Sequence, residues 1–369
     1  MKKAGIITFF DHPNYGAVLQ AYGMKCALEK LGCSVTFIRN TRDPGNAGNP
    51  GGAAGETERR LRVLEAVRHN RQKALRPLMR TISGFSEKHF RTEELDGCHD
   101  LNSGYDFFIA GSDQVWNIEI TGLDPFWFLD FAMPEKRFSY AASFGMDCLP
   151  ESCLPWYRER LAGFRNLSVR EEAGRRIIRE LTGREAAVCP DPVLLPERRV
   201  WEELMGPADK AVVLYMTEFD EDLYRYAKAE AAVRKIPLTV LGVNRLPIPD
   251  ETTVSSPETW LGHIANAAVV YSNSFHALVF SHIFHKDLRL RPLIRMKNRN
   301  GRLFSFVESM GEALTEEENR PGLFRLKGSG DWEKADSRLD TLRQSGVACL
   351  RNIMDGPDTD VPQADDTSL

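Results

Sequence analysis

With 369 residues, 42% of them hydrophobic and 27% charged, the chain is long enough for two hydrophobic cores and has a globular composition rather than a disordered one. A formal net charge of −4 provides no overall basic field, which argues against nucleic acid as a partner. No apolar run approaches the ~20 residues of a membrane-spanning helix.

The opening run AGIITFF, residues 4–10, reads as a buried strand. Its apolar character stops at Asp11 without a small-residue cleavage site, so no secretory leader is expected and the chain is expected in the cytoplasm, at most touching a membrane surface. After the turn-rich DHPNYG, residues Ala17, Ala21, Met24, Leu28 and Leu31 recur at helical spacing up to Gly32, a C-cap. SVTFIR, residues 34–39, then completes a βαβ unit. The Gly/Asn-rich stretch 44–55 is expected to be a flexible loop, and residues 59–80 a strongly basic helix. Further strand-like runs at 107–110, 138–142 and 167–169 suggest an open, doubly wound sheet. A Pro-rich segment, 183–210, marks the junction to a second alternating series. That series runs strand AVVLYM, helix 220–235, strand LTVLGV, a helix started by Ser256-Pro257, strand AVVYSN and helix SFHALVFSHIFH.

Two Rossmann-like α/β domains facing a cleft are therefore expected, at 1–197 and 198–330, with a closing helix at 331–354 and a disordered tail at 355–369. Seven cysteines, Cys26, Cys33, Cys98, Cys148, Cys153, Cys189 and Cys349, form no CxxC pair and read as reduced thiols. His276, His282 and His285 lack a third ligand, and no catalytic metal is expected.

In open α/β sheets ligands gather where strands end and helices begin, and four segments fall there. In DHPNYGA, Asn14, Tyr15 and Gly16 precede a helix N-terminus whose free N–H groups can receive an anion; an ordinary turn reads equally well. In GSDQVWN, Ser112, Asp113, Gln114 and Asn117 beside Trp116 suit sugar hydroxyls and a pyranose face, or else cap a helix with the indole in the core. In LSVREEAG, Arg170 can hold a carboxylate or phosphate, or pair with Glu171 or Glu172. In YSNSFHALVF, Ser274 is a potential N-cap and His276, in the first turn, can exchange a proton with an anionic substrate or serve structurally.

Together, ITFFDHPNYGAVLQAYGMKCALEKLG, YDFFIAGSDQVWN, FLDFAMPEKRFSYAASFG, LSVREEAG, DPVLL, SFHALVFSHIF and NRNGRLFSFVESMG resemble the polysaccharide pyruvyl transferase family, in family order from residue 4 to about 350. WEKADSRLDTLRQSGVACL looks like the family's closing helix, packing back on the first domain. The resemblance implies a GT-B-like fold, phosphoenolpyruvate as donor substrate with no bound cofactor, and a pyruvate ketal on a polysaccharide or lipid-linked sugar as product. It also implies donor contacts from Arg170, His276 and Arg302, with His276 as proton donor and Asp113 or Asp11 as base. The family often has Thr-Asp before Ser-Phe-His and Gly after it, where this chain has Ser272-Asn273 and Ala277. A glycosyltransferase using a nucleotide sugar, or a sugar-binding protein without activity, is the alternative on the same fold. Lipid-linked acceptors would place the basic stretch 59–80 at the inner face of the membrane, but a solvated helix flank reads at least as well.

Overall fold

The computed structural model describes residues 1–41, 75–96, 100–242, 252–294, 300–327 and 331–355. The loop 44–55, the basic stretch before residue 75, Cys98 and the tail beyond Asp355 lie outside those residues.

The first βαβ unit is β1 (Lys3–Ile7), α1 (Tyr15–Lys30) and β2 (Ser34–Asn40). Helix α2 (75–89) leads to β3 (Thr92–Leu95), then come β4 (Phe107–Ala110), the short α3 (Ile118–Thr121) and β5 (Arg137–Ser139). These strands form an all-parallel sheet in the order β3-β2-β1-β4-β5. Helices α4 (Leu154–Ala162) and α5 (Glu172–Thr182) follow, with the two-residue strands β6 (Ser168–Val169) and β7 (Ala187–Val188) pairing beyond β5. Gly183 at φ 69° ends α5 in the left-handed region, where a glycine costs least.

The second sheet starts after α6 (Arg198–Leu204) and takes β8 (Val212–Tyr215), α7 (Glu221–Arg234), β9 (Leu238–Leu241), β10 (Thr252–Thr253), α8 (Pro257–Asn266), β11 (Val269–Ser272), α9 (Phe275–Ile283) and β12 (Leu288–Leu290). Helix α10 (Gly301–Ser309), the hairpin β13 (Ala313–Glu316) and β14 (Phe324–Lys327), and the long α11 (Trp332–Asp355) complete the described residues. Its order is β10-β9-β8-β11-β12-β14-β13, parallel except for the two hairpin strands. The fold is thus α/β with two Rossmann-like sheets, each strand series winding its helices as the alternating pattern requires.

Three elements depart from the sequence pattern. β1 ends at Ile7 rather than Phe10, because Thr8 donates its hydroxyl to Ser112 O (2.8 Å) and the chain turns, sending Phe10 out of the sheet to pack 5.2 Å from Phe37. β3, TEEL, and the β13–β14 hairpin are rich in charge and owe their conformation to pairing with neighbouring strands rather than to apolar alternation.

Helices α1 and α9 are enclosed almost all round, eleven of sixteen positions of α1 and all nine of α9 being buried. They run between the two sheets and tie them together. Tyr15 of α1 stacks on Trp260 (5.6 Å), and its hydroxyl donates to Ser255 O (2.9 Å) while accepting from Ser255 N (3.0 Å). α11 packs back on the first half: Gly346 abuts Leu195 and Tyr140, Lys2 Nζ bonds Met354 O, and Cys349 Sγ lies 2.7 Å from Cys189 Sγ. All six described cysteines are free thiols. No helix among the described residues is long and apolar enough to cross a membrane.

Candidate active site

Between the sheets lies a cleft of about 600 Å³, a volume within the ~300–1,000 Å³ typical of ligand sites. The loops after β1, β4, β8 and β11 and the start of α10 line it, the strand-end position expected of doubly wound sheets. Asp113, Gln114, Ser274, His276 and Arg302 all reach its wall, and a smaller cavity of about 190 Å³ adjoins through Gln114 and Arg302.

His276 stands where the two buried helices meet. It occupies the first turn of α9, and its ring lies so close to Gly16, in the first turn of α1, that a Cβ on Gly16 would overlap Nδ1. Its Nε2 is 3.6 Å from Asp191 Oδ2 and makes no hydrogen bond among the described residues, although the side chain is only 8% exposed. Ser274 is the N-cap by backbone geometry, but its side chain makes no capping bond, and its own amide donates to Ser272 Oγ (3.0 Å). Asn273 is held from both ends of its amide: Oδ1 accepts from Thr217 N (2.8 Å) and Nδ2 donates to Glu218 O (2.6 Å).

Arg170 directly follows β6 and is deeply buried, its side chain 3% exposed. It donates through Nε to Glu171 Oε1 (3.0 Å) and through Nη1 to Asp191 Oδ2 (2.8 Å), while Nη2 lies 3.5 Å from Asp113 Oδ1. Burial works against its charge, but Glu171, Asp113 and Asp191 hold it protonated. Asp191 is fully enclosed. Burial pushes its carboxyl up, yet His276, Arg170 and the Val193 amide together bring it down to about 2. The guanidinium groups of Arg170 and Arg302 both lie over the Phe275 ring, at 5.5 and 5.7 Å from its centroid, so one aromatic side chain sets the height of two cations.

Several side chains singled out in the sequence are engaged in contacts within the fold. Trp116 is fully buried, stacked on Phe128 (5.5 Å) with its indole N–H donated to Trp127 O (3.1 Å), so its ring presents no face to a sugar. Asn117 is equally buried and caps α3 by accepting from Glu119 N, while its Nδ2 donates to Gln114 Oε1. Ser112 has no exposed surface; Tyr15 bridges the halves, and burial raises its phenol to about 12. Asn14 lines the cleft, but its Oδ1 accepts from Gly16 N and Ala17 N, satisfying amides that an anion would otherwise take. Asp11, the alternative base, pairs with Arg39 (3.0 Å) and is about two-fifths exposed, because the early end of β1 turns it away from the cleft. Arg170 donates to Glu171 and Asp191 and lies 3.5 Å from Asp113, while its buried Nη2 makes no hydrogen bond to the described residues. In the basic stretch, Leu75 and Leu78 are buried at the cleft wall rather than turned outward, while Met79 is exposed.

Sequence reasoning missed Asp191 as a site residue. It lies within DPVLL, but a lone Asp-Pro reads as a turn, and here it does cap the turn Pro192–Leu194 through Val193 N (3.1 Å). No group of three or more His, Cys, Asp or Glu among the described residues is arranged to hold a metal ion.

A family model for polysaccharide pyruvyl transferases matches residues 14–287. The chain belongs to that family. The matched span runs from the α1 N-cap through α9 and so contains Asp113, Arg170, Asp191 and His276, whereas Arg302 lies beyond it. No curated protein matches the chain significantly. Among solved structures it is similar to the UDP-GlcNAc 2-epimerase of Neisseria meningitidis bound to UDP-GlcNAc, at 9% identity and TM-score 0.44, over 96% of this chain and 100% of that one. It is similar also to a glycosyltransferase of Rickettsia africae, at 9% identity and TM-score 0.44 over 96% and 99% of the two chains. The UDP-GlcNAc 2-epimerase of Methanocaldococcus jannaschii aligns at 12% identity and TM-score 0.42, over 96% and 100%.

Proposed function

We propose that the chain transfers the enolpyruvyl unit of phosphoenolpyruvate to a sugar of a polysaccharide or lipid-linked glycan and closes it as a pyruvate ketal. The observation that carries this reading is His276, a buried imidazole in the first turn of α9 whose Nε2 makes no hydrogen bond among the described residues, placed beside Arg302 in a cleft of ligand size. Enolpyruvyl chemistry needs such a group. A proton delivered to C3 leaves C2 as an oxocarbenium-like centre, which a sugar hydroxyl attacks; a second hydroxyl then attacks C2, phosphate leaves with the C–O bonding pair, and the ring closes.

In this reading His276 gives the first proton. The donor's phosphate and carboxylate sit between Arg302 and the amides of the α9 first turn, where the helix dipole favours negative charge. Asp113, held at φ 70° at the cleft wall with Oδ1 accepting from Gln114 N (2.8 Å), takes the hydroxyl protons. Arg170 neutralises Asp113 and Asp191 in place rather than gripping substrate.

The test is phosphate release from phosphoenolpyruvate by purified protein, assayed with and without glycan and lipid-linked acceptors. Release that requires an acceptor supports the reading. Equal turnover of a nucleotide sugar, or no turnover with any acceptor, overturns it.

A further inference from the structure

We propose that Asp191 is a positioning residue that holds Nε2 of His276, leaving Nδ1, on the side of Gly16, as the nitrogen that exchanges the proton. Three features converge on this. Asp191 is itself immobilised: its side chain has no exposed surface, Oδ1 accepts from Val193 N (3.1 Å), and Oδ2 accepts from Arg170 Nη1 (2.8 Å). The turn that carries it is pinned to α1, since Gly23 has no side chain and Pro192 O occupies the place a Cβ would take. A carboxylate fixed from the first half of the chain is thereby presented to an imidazole supplied by the second.

The second feature is the imidazole's surroundings. Asp191 Oδ2, at 3.6 Å, is the acidic group facing Nε2, which has no hydrogen bond to any other described residue. That separation exceeds a formed hydrogen bond by roughly 0.5 Å, the looseness that catalytic pairs show before substrate binds. Asp191 stays ionised and able to accept, because His276, Arg170 and the Val193 amide together outweigh its burial.

The third feature is the far edge of the ring, where Nδ1 faces α1 at Gly16 and any larger residue would overlap it. Because Gly16 has no side chain, nothing from α1 overlaps Nδ1, and His276 lines the cleft. A carboxylate that fixes one imidazole nitrogen dictates which nitrogen is left for proton transfer, and here that nitrogen is Nδ1.

The proposal rests on the pyruvyl-transfer reading for the proton's destination, but the tautomer can be measured without turnover. In full-length protein carrying 15N-labelled histidine, long-range 1H–15N correlation spectra recorded above the imidazole titration, with the His276 signals identified by their loss in His276→Gln, report which nitrogen bears hydrogen. The expected result is the Nε2–H form in the wild type and loss of that preference in Asp191→Asn. With saturating donor and acceptor, Asp191→Asn should also lower kcat by ~100-fold while changing KM for phosphoenolpyruvate far less. Gly16→Ala should leave Asp191 intact yet lower kcat comparably. An Nδ1–H form in the wild type, or an unchanged Nε2–H form in Asp191→Asn, overturns the proposal. If Asp191→Asn does not fold, the wild-type tautomer and Gly16→Ala still decide it. If the wild type releases no phosphate from phosphoenolpyruvate, the function reading fails while the spectra still decide the tautomer.

Discussion

At Asn273 a carboxamide does what a carboxylate cannot, accepting from Thr217 N at one end and donating to Glu218 O at the other. An Asp here would keep the first bond and set a negative oxygen against the second carbonyl. Asn273→Asp is therefore expected to destabilise the protein by ~1–3 kcal/mol, seen as a lower Tm with no gain in activity of the folded fraction. His276 is the opposite case, since few of its polar contacts support the fold. His276→Ala should lower kcat by ~100- to 10,000-fold with little change in Tm, measured by phosphate release and thermal melting. Asp191 links the two kinds of role through pH. Its folded value, about 2 against the usual 3.8, is depressed, so its ionised form stabilises the fold above pH ~4, and that contribution is lost as pH falls from 4 towards 2. The contribution amounts to about 2 kcal/mol, and urea titrations across that range should show a flatter pH dependence for Asp191→Asn than for the wild type.

The α11 helix depends on one small residue. Gly346 fits against Leu195, Tyr140 and Pro190, and a Cβ there would come within 2.5–2.8 Å of all three. An Ala in mid-helix gains ~1 kcal/mol of propensity over Gly, while overpacking a filled site costs ~1–3 kcal/mol, so packing is expected to win. Gly346→Ala should lower Tm, and Gly346→Val should lower it further and raise protease sensitivity of the C-terminal helix. The GSDQVWN loop shows how one segment divides its roles. Val115, Trp116 and Asn117 are sealed inside the first half, whereas Asp113 and Gln114 on the same turn reach the cleft. Trp116→Ala is thus expected to cost ~3–5 kcal/mol of stability, with loss of activity tracking loss of folded protein.

Across the whole molecule, the site exists because two enclosed helices from different sheets meet at their first turns, bringing Gly16 against His276. A ligand held at that junction binds the folded state alone. Phosphoenolpyruvate at 100 times its Kd should therefore raise stability by ~2.7 kcal/mol, readable as a Tm increase that shrinks in Arg302→Ala. The alternation of apolar runs and helical periods determined the parallel strands of both sheets and the N-cap at Ser256, because these depend on residues within a few positions of one another. Ordered motifs were likewise enough to mark the family. What only the tertiary structure decided was partnership over long separations. Arg170 meets Asp113, 57 positions away in the chain, as well as Asp191; Asp191 faces His276; and Trp116 turns inward while Asp113 turns outward. The charged strands β3, β13 and β14 belong with these, since pairing with neighbouring strands rather than local pattern makes them strands. Local periodicity encodes which face of an element is apolar, but the surroundings of a polar side chain are set by which elements pack against it.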